Sequence, residues 1–147
     1  MRVLVQRVEE ASVTIDGEVI GQIGEGLVIL VGFCMSDREG LIEPMALQVV
    51  NLRVIADEEG RFQYSLMQKP GEILVVPQFT LYGDTSNGRR PDFTQALTPA
   101  LASDLFDIFV HVLEEKLGEE RVAGGRFGAE MKVALVNDGP VTLMLEK

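Results

Sequence analysis

The stretch Ala11-Ser12-Val13-Thr14-Ile15-Asp16-Gly17-Glu18-Val19-Ile20 decides the fold class. Ala11, Val13 and Ile15 alternate with Ser12, Thr14 and Asp16, the period of two that a half-buried strand imposes on its side chains. Asp16-Gly17 then supplies a hairpin turn signal. Upstream, Val3 and Val5 alternate with Leu4 and Gln6. Downstream, Val19-Ile20 and the run Leu27 to Val31 continue the sheet, and the second run is apolar on both faces, which makes it a central strand. The opening third is therefore mostly antiparallel β.

The pattern becomes helical from about Asp37 to Asn51, where Leu41, Met45, Leu47 and Val50 fall near helical spacing, Ser36 or Asp37 can cap, and Pro44 disturbs the first turn. Leu52 to Ile55 and Ile73 to Leu81 read as strands, separated by the turn-rich Asp57-Glu58-Glu59-Gly60 and Lys69-Pro70-Gly71. Leu101 to Leu117 is the clearest helix. Its apolar stripe holds Ala102, Leu105, Phe109, Val112 and Leu113, its polar stripe Ser103, Asp107, His111 and Glu115, and Gly118 ends it. Met131, Val133 and Leu135, then Val141, Leu143 and Leu145, give two final strands around Asn137-Asp138-Gly139-Pro140. The whole reads as α+β: strands curled into a barrel-like, mostly antiparallel sheet with two helices packed outside.

At 147 residues, 46% hydrophobic and 24% charged, the chain suits one globular domain spanning 1–147, with no linker or low-complexity segment. The opening Met1-Arg2-Val3-Leu4-Val5-Gln6-Arg7 meets charge too early for a secretory signal, and the longest apolar run, Leu27 to Met35, is far too short to cross a bilayer. A cytoplasmic protein with no membrane partner is expected, and the single Cys34 agrees with a reducing compartment. The formal charge of −10 argues against an extended sequence-independent grip on nucleic acid. A local contact remains open, because Arg89, Arg90, Arg126 and Lys132 share one half of the chain and a basic mouth can exist on an acidic body.

Much familiar chemistry is excluded. The one histidine, His111, lies on the polar stripe of the long helix and is read as a solvated surface residue. Cys34 ends an apolar run with no lysine or histidine near it in sequence, and is read as a buried structural thiol. Without a histidine cluster or a second cysteine there is no usual zinc site and no Ser-His-Asp triad. Neither the dinucleotide fingerprint nor the Gly-Lys-Ser/Thr phosphate loop occurs. No cofactor or metal is expected, so an enzyme with this sequence works with main-chain groups, hydroxyls, amides or the substrate itself.

Four segments remain. Gln78-Phe79-Thr80-Leu81 follows the buried run Ile73-Leu74-Val75-Val76, and alternation on a strand would bring the Gln78 amide and Thr80 hydroxyl to one face. A strand simply leaving the core is the plain alternative. Pro77 removes a ladder donor and marks an edge, a bulge or a strand end, where backbone N–H groups are free to meet a ligand. Gly139-Pro140 reads either as an ordinary hairpin turn or as a cis peptide whose successive carbonyls face one way and could read an ammonium group. Gly124-Gly125-Arg126-Phe127-Gly128 offers a ring and a cation for stacking a base, or a bulge whose Phe127 plugs the barrel. Gly88-Arg89-Arg90-Pro91-Asp92-Phe93 is a solvated loop or a phosphate clamp.

Along essentially its full length the chain resembles the D-aminoacyl-tRNA deacylases, formerly called D-tyrosyl-tRNA deacylases. The resemblance is carried by Arg2-Val3 through Gln6-Arg7-Val8, Asn51-Leu52-Arg53, Gln78-Phe79-Thr80-Leu81, Arg90-Pro91, Phe127-Gly128-Ala129 and Asn137-Asp138-Gly139-Pro140-Val141-Thr142. It implies a homodimer that proofreads translation by hydrolysing the ester between a D-amino acid, or glycine mischarged on tRNA-Ala, and the terminal adenosine of tRNA, gripping only the acceptor 3′ end. It assigns the carbonyls of Gly139 and Pro140, a cis peptide reaching into the partner subunit's pocket, to the substrate ammonium. It assigns the N–H groups of Phe79 and Thr80 to the developing oxyanion, with Gln78 shaping the site. Phe127 and Met131 match positions that contact adenine, and Arg7 one that orients the Gly-Pro segment. Water, assisted by the adenosine 2′-hydroxyl, is the implied nucleophile, and Thr80 the older alternative. One departure is Pro77, where the family usually has serine; a related animal-type deacylase with relaxed chiral specificity carries proline there. A non-catalytic dimeric module binding tRNA 3′ ends is the reading from a different class.

Overall fold

The alternations at Val3/Val5 and Ala11/Val13/Ile15 belong to one strand rather than two. In the computed structural model, which describes residues 1–147, β1 runs unbroken over Arg2–Ile15. Its first half pairs antiparallel with β3 (Gly26–Gly32), from Arg2 opposite Gly32 to Val8 opposite Gly26, and its second half with β2 (Glu18–Ile23). Asp16 (φ 51) and Gly17 (φ 86) make the β1–β2 turn in the left-handed region, as the Asp-Gly signal requires.

β3 then pairs in parallel with β6 (Glu72–Pro77), and β6 in parallel with β7 (Val122–Gly124), giving the order β2-β1-β3-β6-β7. A Cβ on Gly21 of β2 would sit 3.1 Å from the Gly124 carbonyl of β7, so the outer strands approach and the sheet curls into a nearly closed barrel. Two short strands, β4 (Ile55–Ala56) and β5 (Phe62–Tyr64), form a separate hairpin. The sequence reading places the first of them at Leu52 to Ile55; pairing begins only at Ile55, because Asn51 and Leu52 still close the preceding helix through carbonyls of Leu47 and Val49.

The chain ends in β8 (Lys132–Glu146), a single strand and not the hairpin expected around Gly139-Pro140. Both of its alternating halves find the same partner: Leu135 and Val133 face Ala11 and Val13, while Leu143 and Leu145 face Val5 and Val3. β1 is long enough to accept both, so the intervening residues bulge out instead of reversing the chain.

The helices cover the outer face. α1 (Ile42–Val50) buries Met45, Ala46, Val49 and Val50. It starts later than Asp37, because a 3₁₀ turn at Glu39–Leu41 precedes it and the Asp37 carboxylate is used elsewhere, accepting from the Met1 amino group and the Cys34 N–H, both at 2.7 Å. Pro44 is tolerated in the first turn, where N–H groups have no helical partner. α2 (Pro99–Leu117) has proline at its first position and Gly118 (φ 98) beyond its end. Its fully buried stripe is Ala102, Phe106, Phe109, Leu113 and Leu117, and the expected Leu105 and Val112 flank it, partly buried against the core.

The main core joins these helices to Val3, Val5, Leu27, Ile29, Val31, Ile73 and Val75. The barrel interior is filled by Val8, Ala11, Val13, Ile23, Val28, Leu74 and Val76. β3 and β6 contribute to both, which is why the run Leu27 to Val31 is apolar throughout. No helix is long and apolar enough to cross a membrane.

Candidate functional site

The strand expected over Ile73 to Leu81 stops at Pro77, and the difference shapes the site. Pro77, opposite Val31, has no N–H for the ladder, and the last pairing contact is the Gln78 N–H donating to the Val31 carbonyl at 2.7 Å. The chain then turns tightly through the 3₁₀ segment Phe79–Tyr82. Gln78 and Thr80 therefore do not alternate along a strand face. They meet across the start of a turn, where the Gln78 Nε2 donates to Thr80 Oγ1 in a short hydrogen bond.

The backbone N–H groups of Phe79 and Thr80 stand at the head of this turn and donate to no protein acceptor, whereas those of Leu81 and Gly83 donate to the carbonyls of Gln78 and Thr80. Two adjacent free donors of this kind suit an oxygen that acquires negative charge. The turn is pinned from both sides. Arg2 Nη1 donates to the Leu81 carbonyl at 2.7 Å and its guanidinium lies over the Tyr82 ring. A Cβ on Gly32 would come within 2.8 Å of the Gln78 carbonyl, so the close approach needs glycine.

Gln78 and Phe79 open into a cavity of about 720 Å³, within the size range of small-molecule sites. Phe127 and Met131 line it, as do Pro77, Phe93, Phe33 and Leu97, and no charged side chain does. Phe79 is half exposed and meets Phe93 edge-on, ring centres 5.1 Å apart, while Phe127 leans on Phe106 of α2 at 6.4 Å. Phe127 thus lies at the cavity wall rather than plugging the barrel. Phe93 carries no sequence signal beyond its place in the Arg89-Arg90 loop. The isolated pairings of Cys34 with Ala96 and of Asp84 with Asp92 bring that loop against the cavity.

Cys34 is half buried rather than enclosed. Burial pushes its thiol up, but hydrogen bonds with the Ser36 hydroxyl and backbone and with the Tyr82 hydroxyl outweigh this and bring it below the ordinary range. Tyr82 moves the other way, raised by burial and by its hydrogen bond with Cys34. His111 is exposed beside Glu114 and Glu115 and does not line the cavity.

Arg7, Gly139 and Pro140 are brought together elsewhere, and none of them lines the cavity. Between Gln6, opposite Thr142, and Val8, opposite Asn137, Arg7 alone faces Asp138, Gly139, Pro140 and Val141. The Gly139-Pro140 peptide is cis. Arg7 enters beneath this bulge. Its Nη1 donates to the Val54 carbonyl at 2.5 Å and its Nη2 to the Gly139 carbonyl at 3.4 Å, and its guanidinium lies 5.5 Å from the Phe62 ring centre. Nε comes within 2.6 Å of Asp138 Oδ2 but its N–H is not aligned on it, so this contact is an ion pair rather than a hydrogen bond. Asn137 closes the base, its amide donating to the Arg7 carbonyl at 2.9 Å and the Val141 carbonyl at 3.1 Å. Val54, Phe62 and Asn137 are bracing residues that periodicity does not reveal, since Val54 acts through its carbonyl and Phe62 belongs to a short hairpin.

The model of the D-Tyr-tRNA(Tyr) deacylase family matches residues 4–146. A D-aminoacyl-tRNA deacylase of Roseiflexus sp. (strain RS-1) is 54% identical over 146 residues, covering 99% of this chain and 93% of that one. The one from Brevibacillus brevis is 52% identical over 146 residues and 99% of both. Among solved structures, the c-Myc DNA Unwinding Element Binding Protein superposes with a TM-score of 0.94 at 41% identity, covering 100% of this chain and 99% of that one. A probable eukaryotic D-amino acid tRNA deacylase shares the fold, with a TM-score of 0.88 at 20% identity over 98% and 97% of the two chains.

Proposed function

Since this chain belongs to the D-aminoacyl-tRNA deacylase family, we propose that it hydrolyses the ester joining a D-amino acid, or glycine mischarged on tRNA-Ala, to the terminal adenosine of tRNA. The observation that carries this reading is the pair of free N–H groups at Phe79 and Thr80, on a turn whose first residues, Gln78 and Phe79, line an apolar cavity large enough for a nucleoside. Water attacks the ester carbonyl carbon, and its oxygen becomes an oxyanion held by the two N–H groups. The bond to the adenosine 3′ oxygen then breaks, and the proton lost by water ends on that oxygen. As the family resemblance implies, the substrate's own 2′-hydroxyl assists the water, which agrees with a cavity lined by no acidic or basic side chain, and Thr80 serves the site through its backbone and its bond to Gln78. Phe127 and Met131 receive the adenine.

Chirality is read by the carbonyls of Gly139 and Pro140, which accept from the substrate ammonium and leave no room for an L side chain. They come from the partner of a homodimer. Along β1, Arg2 touches the Leu81 carbonyl, and Arg7 with its bulge lies five residues farther, roughly 16 Å at ~3.3 Å per residue. One chain's bulge is thus distant from its own cavity. β8 pairs only with β1, and Val133, Val136, Leu143 and Met144 are exposed along it, an apolar strand with a free edge suited to a second copy. The enzyme would act in the cytoplasm.

Pro77 lines the cavity just before the turn and supports a second reading, the same deacylase with relaxed chirality. Purified protein given matched D- and L-aminoacyl-tRNA tests both. Release from the D form alone supports the strict reading, release from both the relaxed one, and binding without release would leave a nucleic-acid-binding module.

A further inference from the structure

The cavity holds no charge, yet a nucleic-acid end entering it carries a phosphodiester at each step. Most cations in the chain are already engaged: Arg2, Arg7, Arg61 and Lys116 in ion pairs, Arg38 and Arg121 with backbone carbonyls, and Lys69 over the Tyr64 ring. Arg53, Arg89, Arg90, Arg126, Lys132 and Lys147 make no such contact. Three of these sit next to cavity walls. Arg89 and Arg90 are exposed in the loop that delivers Phe93 and Thr94, and Arg126 is exposed beside Phe127. Lys132 is also close in sequence, but it alternates with the cavity-lining Met131 and Val133 and so points to the other face of β8.

The loop is built to hold its shape without using its arginines. Asp84 and Asp92 pair backbone to backbone, both bonds 2.8 Å. The Asp84 carboxylate accepts from the Ser86 N–H at 2.8 Å, and the Asp92 carboxylate from the Thr94 N–H at 2.7 Å. These acids equal the two arginines in number, but one oxygen of each accepts from the loop's own N–H groups and neither carboxylate pairs with an arginine, so both guanidinium groups stay free. Glu130 is the acid near Arg126 in sequence and makes no ion pair with it.

We propose that Arg89 and Arg90, with Arg126 across the mouth, form a phosphate-binding rim that holds the backbone of the single strand just 5′ of the nucleoside in the cavity. The inference deepens the deacylase reading by naming how an acidic protein grips the polynucleotide. The rim acts in binding only, since it lies outside the cavity where the ester is cut.

The test uses the unacylated single-stranded RNA 5′-ACCA-3′, with binding followed by fluorescence anisotropy from low to moderate KCl. Arg89→Gln/Arg90→Gln should weaken binding roughly tenfold at low salt and make the logarithmic salt slope shallower by about 1.4, and Arg126→Gln by about 0.7, at ~0.7 per phosphate released. Lys132→Gln, which removes one charge from the other face as Arg126→Gln does from the rim, should leave the slope as in the unaltered protein. Hydrolysis of D-aminoacyl-adenosine, which has no phosphate, should be unchanged in all three. A double variant that binds and responds to salt like Lys132→Gln would overturn the rim, as would equal losses on D-aminoacyl-adenosine and on tRNA. Binding is read without turnover. A protein that binds with these slopes yet hydrolyses nothing keeps the rim and loses the deacylase reading, and the reverse pattern does the opposite.

Discussion

Replacing Arg7 by methionine keeps an unbranched stem and removes every donor beneath the Gly139-Pro140 bulge. Loss of the charge-assisted hydrogen bond to the Val54 carbonyl costs about 1.5–3 kcal/mol in a part-buried setting. The ion pair with Asp138, whose carboxylate is 46% exposed and poorly aligned, adds only about 0.5 kcal/mol. The guanidinium on the half-exposed Phe62 ring adds about 0.5 kcal/mol. Water can reach part of the freed Val54 carbonyl, so the expected net loss is about 2–3 kcal/mol. It should appear as a lower urea midpoint at unchanged m-value. The same contacts hold the Gly139 carbonyl, so if about 1.4 kcal/mol of the loss falls on the bulge, the ratio of D to L hydrolysis should drop about tenfold. Paired urea titrations and single-turnover hydrolysis of both enantiomers measure the two effects. A midpoint shift worth less than about 0.5 kcal/mol, together with an unchanged D-to-L ratio, would refute the claim that Arg7 braces the bulge.

Gly26→Ala should abolish folding or cost more than about 3 kcal/mol, because its Cβ would lie 2.0 Å from the Glu72 carbonyl oxygen and force β3 from β6; circular dichroism and denaturant titration report it. Gly32→Ala should fold but displace the Phe79–Tyr82 turn, since its Cβ would lie 2.8 Å from the Gln78 carbonyl, so kcat should fall at least tenfold with little change in binding of the ACCA strand. Cys34, whose thiol is held below its ordinary range, should be alkylated with a half-maximal pH below that of a free cysteine. Ser36→Ala removes the stabilising hydroxyl and should move that midpoint up, so an unmoved midpoint would mean that Ser36 does not tune the thiol.

Period-two alternation is visible wherever one sheet face is buried, so the two halves of β1, the Asp16-Gly17 turn and the central β3 are legible in the residues, though not that the halves form one strand. Apolar-on-both-faces runs gave the strands shared by the two cores for the same physical reason. Long-range pairing was not legible. Whether the halves of β8 face each other or a third strand depends on the length of β1, which alternation within 132–146 does not encode. The turn after Pro77 was half legible: proline announced the end of the ladder, but residues 78–81 alternate polar and apolar equally well in a strand and in a short 3₁₀ segment. At the site, side chains with unusual chemistry stood out, whereas groups acting through the backbone did not. The Val54 carbonyl beneath Arg7 and Gly32, whose missing side chain lets the turn approach β3, leave only ordinary residues in the sequence.

The central claim is a main-chain active site that selects D-aminoacyl esters, and single-turnover hydrolysis of one tRNA charged separately with D- and L-tyrosine tests it most directly. The expected result is release of D-tyrosine with L-tyrosyl-tRNA left intact, and a Thr80→Ala variant that keeps substantial activity because its N–H remains. Equal release of both enantiomers, or complete loss of activity in Thr80→Ala with a covalent intermediate trapped on the unaltered protein, would contradict it.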